Sequence, residues 1–193
     1  EQAFWAAPSR KQKETDLGDP ITCFKAYDVR GRVPDDLNPK VAYRIGRAFA
    51  EVLSAGTVVV GRDVRPTSRD LERALAAGLA DGGARVWGIG ECGTEEVYFA
   101  TDFWGVDGGI MVTASHNPRD YNGLKLVRAG ARPVSGDSGV GAIRERAEAL
   151  EAPAEPGREP EFADIRPDYC RRLLSFVDRE CLRPLKVVSD PGN

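Results

Sequence analysis

The feature that most constrains the fold is a repeated alternation between short apolar runs and longer segments with apolar residues at helical spacing. Apolar runs at 57–61, 84–90 and 109–112 have the length of strands. The first of them is apolar at three consecutive positions, as expected for a strand buried on both faces inside a parallel sheet. The pattern predicts an α/β protein, with a three-layer α/β/α domain built on a mixed, mostly parallel sheet.

Local signals predict where individual elements begin. Residues 21–24 are interpreted as a first strand. Asn38 followed by Pro39 is typical of a helix N-cap and first helical residue. Thr67, with Asp70 three residues later, resembles a capping box. Helix starts are therefore predicted at four positions: Asn38, Thr67, Thr94 and Asp137.

The chain divides into four segments by composition. A polar stretch at the start lacks the apolar core of a signal peptide and is expected to be a disordered extension. A Pro- and Glu-rich stretch without periodicity is interpreted as a linker. After it, a helix near Pro167 and a strand from Leu185 indicate the start of a second, similar domain. The predicted boundaries are 1–19 for the extension, 20–150 for the first domain, 151–166 for the linker and 167–193 for the truncated start of the second domain.

Composition excludes several function classes. The chain has 193 residues, 41% hydrophobic and 30% charged, with a net charge of −3, so we expect neither nucleic-acid nor membrane binding. No apolar run approaches the roughly 20 residues that span a bilayer. Four cysteines without C-x-x-C spacing predict reduced thiols and a cytoplasmic location. The single histidine leaves no Cys/His set for a zinc site.

The stretch 113–118 carries the strongest chemical signal. It places Ser115 beside His116, the only histidine, on a tight loop after an apolar strand. Ligands of open α/β sheets bind beyond the carboxyl ends of the strands. We therefore interpret Ser115 as a nucleophile that carries a phosphoryl group. A turn residue without function is the alternative for Ser115, and a surface side chain is the alternative for His116.

Phosphoryl transfer requires positive charge and accurate placement. Cations follow several of the predicted strands, so one edge of the sheet could gather them around the serine. Each arginine could instead be a solvated ion-pair partner. The candidates are Lys25, Arg30, Arg62, Arg65, His116 and Lys125.

A serine hydrolase is the rival interpretation. It is disfavoured because G-x-S-x-G is absent and no acid partner for His116 is evident. Adjacent residues such as Ser115 and His116 are also not expected to point at each other. Neither a P-loop nor G-x-G-x-x-G is present, so nucleotide binding has no support.

Three motifs resemble the signatures of the α-D-phosphohexomutases. They are T-A-S-H-N-P-x-x-Y-N-G-x-K at 113–125, K-A-Y-D-V-R-G at 25–31 and G-R-D-V-R-P-T-S at 61–68. Stretches at 93–101 and 130–137 are similar to the bacterial phosphomannomutase branch, which includes bifunctional phosphomannomutase/phosphoglucomutases. The resemblance implies a four-domain enzyme, of which this chain would be the first domain and the opening of the second.

The resemblance also implies roles for individual residues. Ser115 would be the phosphoserine and would give one oxygen ligand to Mg²⁺, with the other metal ligands in a part of the second domain outside this chain. Lys125 would act as general acid and base or as a charge stabiliser. Catalytic residues would thus be Ser115, His116, Lys125 and Arg30, and substrate-binding residues Tyr27, Lys25, Arg62, Arg65, Asn117 and Asn122.

The implied activity is the conversion of mannose 6-phosphate to mannose 1-phosphate through a hexose 1,6-bisphosphate, feeding sugar-nucleotide and polysaccharide synthesis. Glucose phosphates are an alternative substrate, because the loop that selects the sugar lies outside the chain. The remaining domains of the parent enzyme would be partners, and this chain alone is expected to be inactive. A non-catalytic sugar-phosphate-binding domain is the alternative function.

Overall fold

A computed structural model of the chain describes residues 20–135 and 139–190. These residues form one mixed sheet with helices on both faces, which confirms the predicted fold class. The strands are β1 (Val29–Arg32), β2 (Thr57–Arg62), β3 (Arg85–Glu91), β4 (Gly108–Val112), β5 (Tyr121–Arg128), β6 (Arg132–Pro133) and β7 (Glu161–Phe162). The helices are α1 (Pro39–Leu53), α2 (Ser68–Asp81), α3 (Thr94–Phe103), α4 (Val140–Glu148) and α5 (Arg166–Leu174), followed by a 3-10 turn at Arg179–Cys181.

The sheet order is β1-β5-β4-β2-β3-β7, with β6 paired to β5. Strands β4, β2, β3 and β7 run parallel, whereas β5 is antiparallel to both β1 and β4. The carboxyl ends of β2, β3 and β4 therefore meet at one edge, and β5 starts at that same edge. The loops that follow β2 and β4 become neighbours there, which positions the candidate site.

Alternate residues of the central strands feed two separate cores. Val58 and Val60 of β2 pack with α1, α2 and α4, while Val59 faces the opposite side and packs with α3. In β4, Ile110 belongs to the same core as Val58 and Val60, and Met111 belongs to the same core as Val59. This period of two, with apolar side chains in both directions, is why the strands read as continuous apolar runs.

Helices α1 and α2 approach each other closely because glycines lie at their contact. A Cβ on Gly46 would lie 2.4 Å from the Leu75 carbonyl oxygen, and a Cβ on Gly78 would lie 2.0 Å from the Tyr43 carbonyl oxygen. The start of α1 is as predicted, since the Asn38 side chain accepts a hydrogen bond from the Val41 N–H at 3.1 Å.

Several local predictions are wrong. Residues 21–24 do not form a strand, and Phe24 makes only an isolated bridge to Val29. Helix α2 starts where predicted, with Thr67 as its N-cap residue, but Thr67 makes no capping hydrogen bond, and its hydroxyl accepts one from Asn122. The cap of α3 is Gly93, whose N–H donates to the Glu96 carboxylate at 2.7 Å, and Thr94 is the first helical residue. Helix α4 begins at Val140, and Asp137 lies outside the described residues.

The end of the chain differs from its predicted pattern in two places. The segment interpreted as a linker contains β7, which pairs with β3, and Ile165, which is buried against α3. The strand expected from Leu185 is wrong, since residues 182–190 are irregular and have no pairing strand in the described part of the chain. Helix α5 begins at Arg166, close to its predicted start, and none of its residues is buried. The predicted extension 1–19 and the last three residues lie outside the described residues.

Across residues 20–135 and 139–190, no helix is both long enough and apolar enough to cross a membrane.

Candidate active site

Ser115 lies at the exposed tip of the loop between β4 and β5. Its backbone is left-handed, with φ 56°, which is uncommon for a residue other than glycine and is typically costly by about 1–2 kcal/mol. Such conformations persist only where the surroundings hold them, and they cluster at functional sites. The contacts that hold this loop are therefore central to the site.

A chain of hydrogen bonds ties Ser115 to the loop that follows β2. The Ser115 N–H donates to the Thr113 hydroxyl at 2.9 Å, and that hydroxyl donates to the Asp63 carboxylate at 2.7 Å. The other oxygen of Asp63 accepts from the Ser68 hydroxyl at 2.5 Å and from the Arg65 N–H at 3.1 Å. Asp63 thus joins the two loops through one carboxylate.

The Arg65 side chain holds the backbone of the serine loop. Its guanidinium donates to four carbonyl oxygens, those of Ser115 at 3.0 Å, Asn117 at 2.6 Å, Pro118 at 2.7 Å and Tyr121 at 3.0 Å. Its Nε lies 3.2 Å from Asp63. Arg65 was predicted to bind substrate, but all three of its side-chain nitrogens already have protein partners.

Arg30 contacts the serine loop at Asn117, the residue after His116. Arg30 is on β1 rather than after a strand, and it donates to the Asn117 side-chain oxygen at 3.1 Å and to Asp28 at 2.9 Å. The His116 Nδ1 lies 3.3 Å from the Ser115 Oγ. The expectation that these adjacent side chains would point apart is wrong, because the left-handed turn at Ser115 brings them together.

Lys125 lies on β5, on the same face of the sheet as Arg30. Arg30 pairs with Gly123, and alternate residues of a strand share a face, which places Lys125 beside it. Lys125 also pairs with Met111 of β4. Lys125 is half-buried and makes no hydrogen bond or ion pair with the described residues.

Arg62 does not contribute free charge to the site. Its guanidinium lies 2.9 Å from Glu72 and 3.2 Å from Glu91, and its side chain is 17% exposed. These contacts agree with the alternative interpretation of Arg62, that it is an ion-pair partner. Burial raises the pKa of Glu72 to about 7, although Arg62 nearby opposes this shift, and one Glu72 oxygen has no hydrogen-bond partner among the described residues.

The remaining predicted residues fall into two groups. Asn122 is wholly buried, with its amide donating to Thr67 and Ser68 at 2.9 Å each and its oxygen accepting from the Gly123 N–H. It cannot reach a substrate, so its predicted binding role is wrong. Lys25 and Tyr27 are exposed in the turn before β1, and Asp28 of that turn pairs with Arg30.

A cavity of about 620 Å³ opens beside Ser115. Of the ten predicted residues, Ser115, Asn117 and Arg65 line it. The other lining residues were not predicted as site residues, and they include Asp63, Cys92, Gly93, Thr94, Met111, Thr113 and Arg119. Asp63 is a specified position of the motif at 61–68, which could have flagged it, whereas Arg119 occupies an unspecified position of the motif at 113–125. Burial raises the pKa of the Cys92 thiol to about 12, which makes it a poor nucleophile.

Comparison with known proteins decides the family. Residues 22–153 match the model of phosphoglucomutase/phosphomannomutase, alpha/beta/alpha domain I. The chain belongs to the phosphoglucomutase/phosphomannomutase family. This confirms the resemblance noted from the three motifs.

Individual relatives agree with this family. The chain is 53% identical over 177 residues to a phosphomannomutase of Salmonella typhimurium and 54% identical over 174 residues to phosphohexose mutases of Xanthomonas campestris pv. campestris. Each match covers 90% of this chain and 39% of the relative, so the chain spans well under half of their length. A solved phosphoglucomutase/phosphomannomutase family protein from Burkholderia thailandensis matches with a TM-score of 0.68 at 36% identity, over 79% of this chain and 35% of that one.

Proposed function

We propose that this chain is the phosphoserine-carrying domain of a phosphohexomutase that interconverts mannose 6-phosphate and mannose 1-phosphate. The observation that carries the proposal is the exposed Ser115 hydroxyl, held on a braced loop 3.3 Å from the His116 imidazole. The Salmonella typhimurium relative is named a phosphomannomutase, which supports mannose as the sugar. Glucose phosphates remain an alternative substrate.

The proposed transfer needs only a few groups of this chain. The Ser115 Oγ attacks a phosphorus of a hexose 1,6-bisphosphate, and the bond from that phosphorus to the sugar oxygen breaks. The His116 Nδ1, 3.3 Å from the Ser115 Oγ, accepts the serine proton in this proposal. Lys125, which has no partner among the described residues, supplies the proton that the leaving sugar oxygen takes up. Arg30, held by Asn117 and Asp28, adds positive charge beside the loop.

The described residues do not form a magnesium site by themselves. They contain no cluster of three or more His, Cys, Asp or Glu side chains that could hold a metal ion. The carboxylate nearest in the network, Asp63, is engaged by Thr113, Ser68 and Arg65. A Ser115 phosphoryl oxygen would therefore be a single ligand, and the others would have to come from outside the described residues. Mg²⁺ would neutralise phosphate charge there, and no step is assigned to it.

Covalent labelling tests the proposal. The purified chain is incubated with glucose 1,6-bisphosphate, and intact-mass analysis should show the gain of one phosphoryl group. Ser115→Ala should abolish that gain. Ser54→Ala is a matched control, because Ser54 is also an exposed serine with a left-handed backbone, φ 50°, but it precedes β2 at the opposite edge of the sheet. Labelling that survives Ser115→Ala would contradict the proposal.

Two other outcomes separate the alternatives. Binding of the bisphosphate without a covalent label would favour a non-catalytic sugar-phosphate-binding domain. Reaction of Ser115 with a fluorophosphonate would favour a serine hydrolase, although His116 has no acid partner among the described residues. We also expect the chain alone to show no turnover of mannose 1-phosphate. The enzyme's cytoplasmic location and its reliance on further domains are part of the same proposal.

A further inference from the structure

Arg62 and Arg65 belong to the same motif, at 61–68, and both were predicted to bind substrate. In the structure their guanidinium groups contact other protein groups instead. Arg62 is paired with two glutamates. Arg65 is turned toward the backbone of the serine loop, and its side chain is only 13% exposed. A guanidinium has five N–H donors in a fixed fork. Four of the hydrogen bonds from Arg65 end on loop carbonyls, and its Nε lies 3.2 Å from Asp63, so all three side-chain nitrogens have protein partners even though the residue lines the cavity.

We infer that Arg65 is a positioning residue for phosphoryl transfer: with Asp63 it fixes the backbone that aims the Ser115 hydroxyl, and it does not bind the substrate. This inference rests on the proposed function of Ser115.

The first argument is the distribution of the contacts. Arg65 bonds the carbonyls of residues 115, 117, 118 and 121, so it spans the loop from its reactive residue to the first residue of β5. Asp63 holds the same loop from its other side, through the Thr113 hydroxyl that accepts from the Ser115 N–H. The two side chains are paired with each other at 3.2 Å. The loop is therefore held at several points by one connected ion pair.

The second argument is the conformation that these contacts maintain. Ser115 has a left-handed backbone that is unfavourable for a serine by itself. Backbone–backbone hydrogen bonds within the loop are few, from the Asn117 N–H to the Ala114 carbonyl and from the Tyr121 N–H to the Pro118 carbonyl. Without the Arg65 bonds, the loop would relax toward ordinary backbone angles and the Ser115 Oγ would change direction. A misplacement of about 1 Å at a reacting atom can cost roughly 100-fold in rate.

Arg65→Lys tests the inference, because lysine keeps the charge but cannot supply the fork. Single-turnover labelling of the chain by glucose 1,6-bisphosphate is followed at increasing bisphosphate concentration. We expect the limiting rate constant to fall at least about tenfold, while the half-saturating concentration changes less than about twofold, as for a group that makes no substrate contact. A substrate ligand would show the reverse, a raised half-saturating concentration. That result would overturn the inference.

Two further measurements separate positioning from misfolding. A partly unfolded population would lower the amplitude of labelling and leave the rate constant unchanged. Amide hydrogen exchange should accelerate in the peptide covering 113–121 and stay unchanged in the strands and helices. Arg69→Lys is the matched control, since Arg69 lies in the first turn of α2 with a 68% exposed side chain and, within 20–135 and 139–190, forms an ion pair with Glu159 alone.

The exchange measurement also keeps the inference independent of the labelling assay. If the unmodified chain takes no label, the phosphoryl-transfer proposal fails for the isolated chain, and the exchange data alone decide whether Arg65 holds the loop. Exchange at 113–121 that is the same in Arg65→Lys and in the unmodified chain would overturn the inference.

Discussion

Two groups of polar side chains meet at the same edge of the sheet and differ in what satisfies them. The supporting group, Asp63, Arg65, Thr113 and Asn122, is engaged by hydrogen bonds and ion pairs within the protein. In the open group, Ser115 and His116 contact each other through their side chains, while Arg119 and Lys125 have no hydrogen bond or ion pair among the described residues. The difference teaches that residue type alone does not identify a phosphate ligand. Arg65, whose three side-chain nitrogens all have protein partners, holds the site, whereas Lys125, without a hydrogen bond or ion pair among the described residues, can act in it.

The largest expected effect is on the supporting side, at Gly123. A Cβ there would lie 2.3 Å from the Val29 carbonyl oxygen and 2.9 Å from that of Thr113, both backbone atoms that cannot move aside easily. Gly123→Ala should lower the free energy of unfolding by about 3 kcal/mol, measured by urea denaturation. Gly141→Ala in α4 is the control, because nothing lies within 4 Å of its Cβ, and it should be neutral or stabilising. Equal stability of the two variants would refute this packing argument.

A smaller effect is expected from the buried Glu72. Its pKa is near 4.5 when unfolded and about 7 in the folded chain, mainly because of burial. Between these values the folded state binds more protons than the unfolded state, so stability should fall as pH rises from about 4.5 to 7. Of this fall between pH 4.5 and 7, Glu72 should contribute about 2–3 kcal/mol.

The test is urea denaturation across that pH range with Glu72→Gln, which should remove that part of the dependence. Glu145→Gln, an exposed position on α4, should keep it. If the unmodified chain and Glu72→Gln follow the same pH profile, folding leaves the pKa of Glu72 unchanged, and the ion pair with Arg62 offsets its burial.

The smallest energetic effect is expected in the open group. Lys125→Met should change the free energy of unfolding by less than about 0.5 kcal/mol, because the lysine makes no hydrogen bond or ion pair among the described residues. The labelling rate at Ser115 should nevertheless fall at least about tenfold. Asn122→Ala sharpens the comparison, since it should cost about 2 kcal/mol of stability by leaving buried partners unsatisfied. A large loss of stability in Lys125→Met would place that residue in the supporting group instead.

The sequence predicted the fold better than it predicted the partners of individual side chains. The alternation of apolar runs and helical segments identified the central strands and helices, because burial on both faces of a sheet leaves a periodic pattern. Thr67 is an example of a residue whose hydrogen-bond partner could not be predicted from its neighbours in sequence. Its spacing to Asp70 predicted a cap, but its hydroxyl bonds Asn122, 55 residues away in sequence.

The site was predicted in outline and revised in detail. The serine loop, its neighbouring histidine and the approach of Arg30 follow from the motifs and from the sheet edge they share. The left-handed backbone of Ser115 and the use of Arg65 as a brace have no local signal, since both depend on the loops after β2 and β4 becoming neighbours. Long-range contacts of this kind decide which cations remain free.

The most direct test of the account is to identify the chemical bond that holds the transferred phosphoryl group. Phosphorus NMR and phosphopeptide sequencing of the chain after reaction with glucose 1,6-bisphosphate distinguish a serine ester from a histidine phosphoramidate. We expect a single acid-stable phosphoserine at Ser115. A phosphoryl group found on His116, or on any serine outside the loop, would contradict the account.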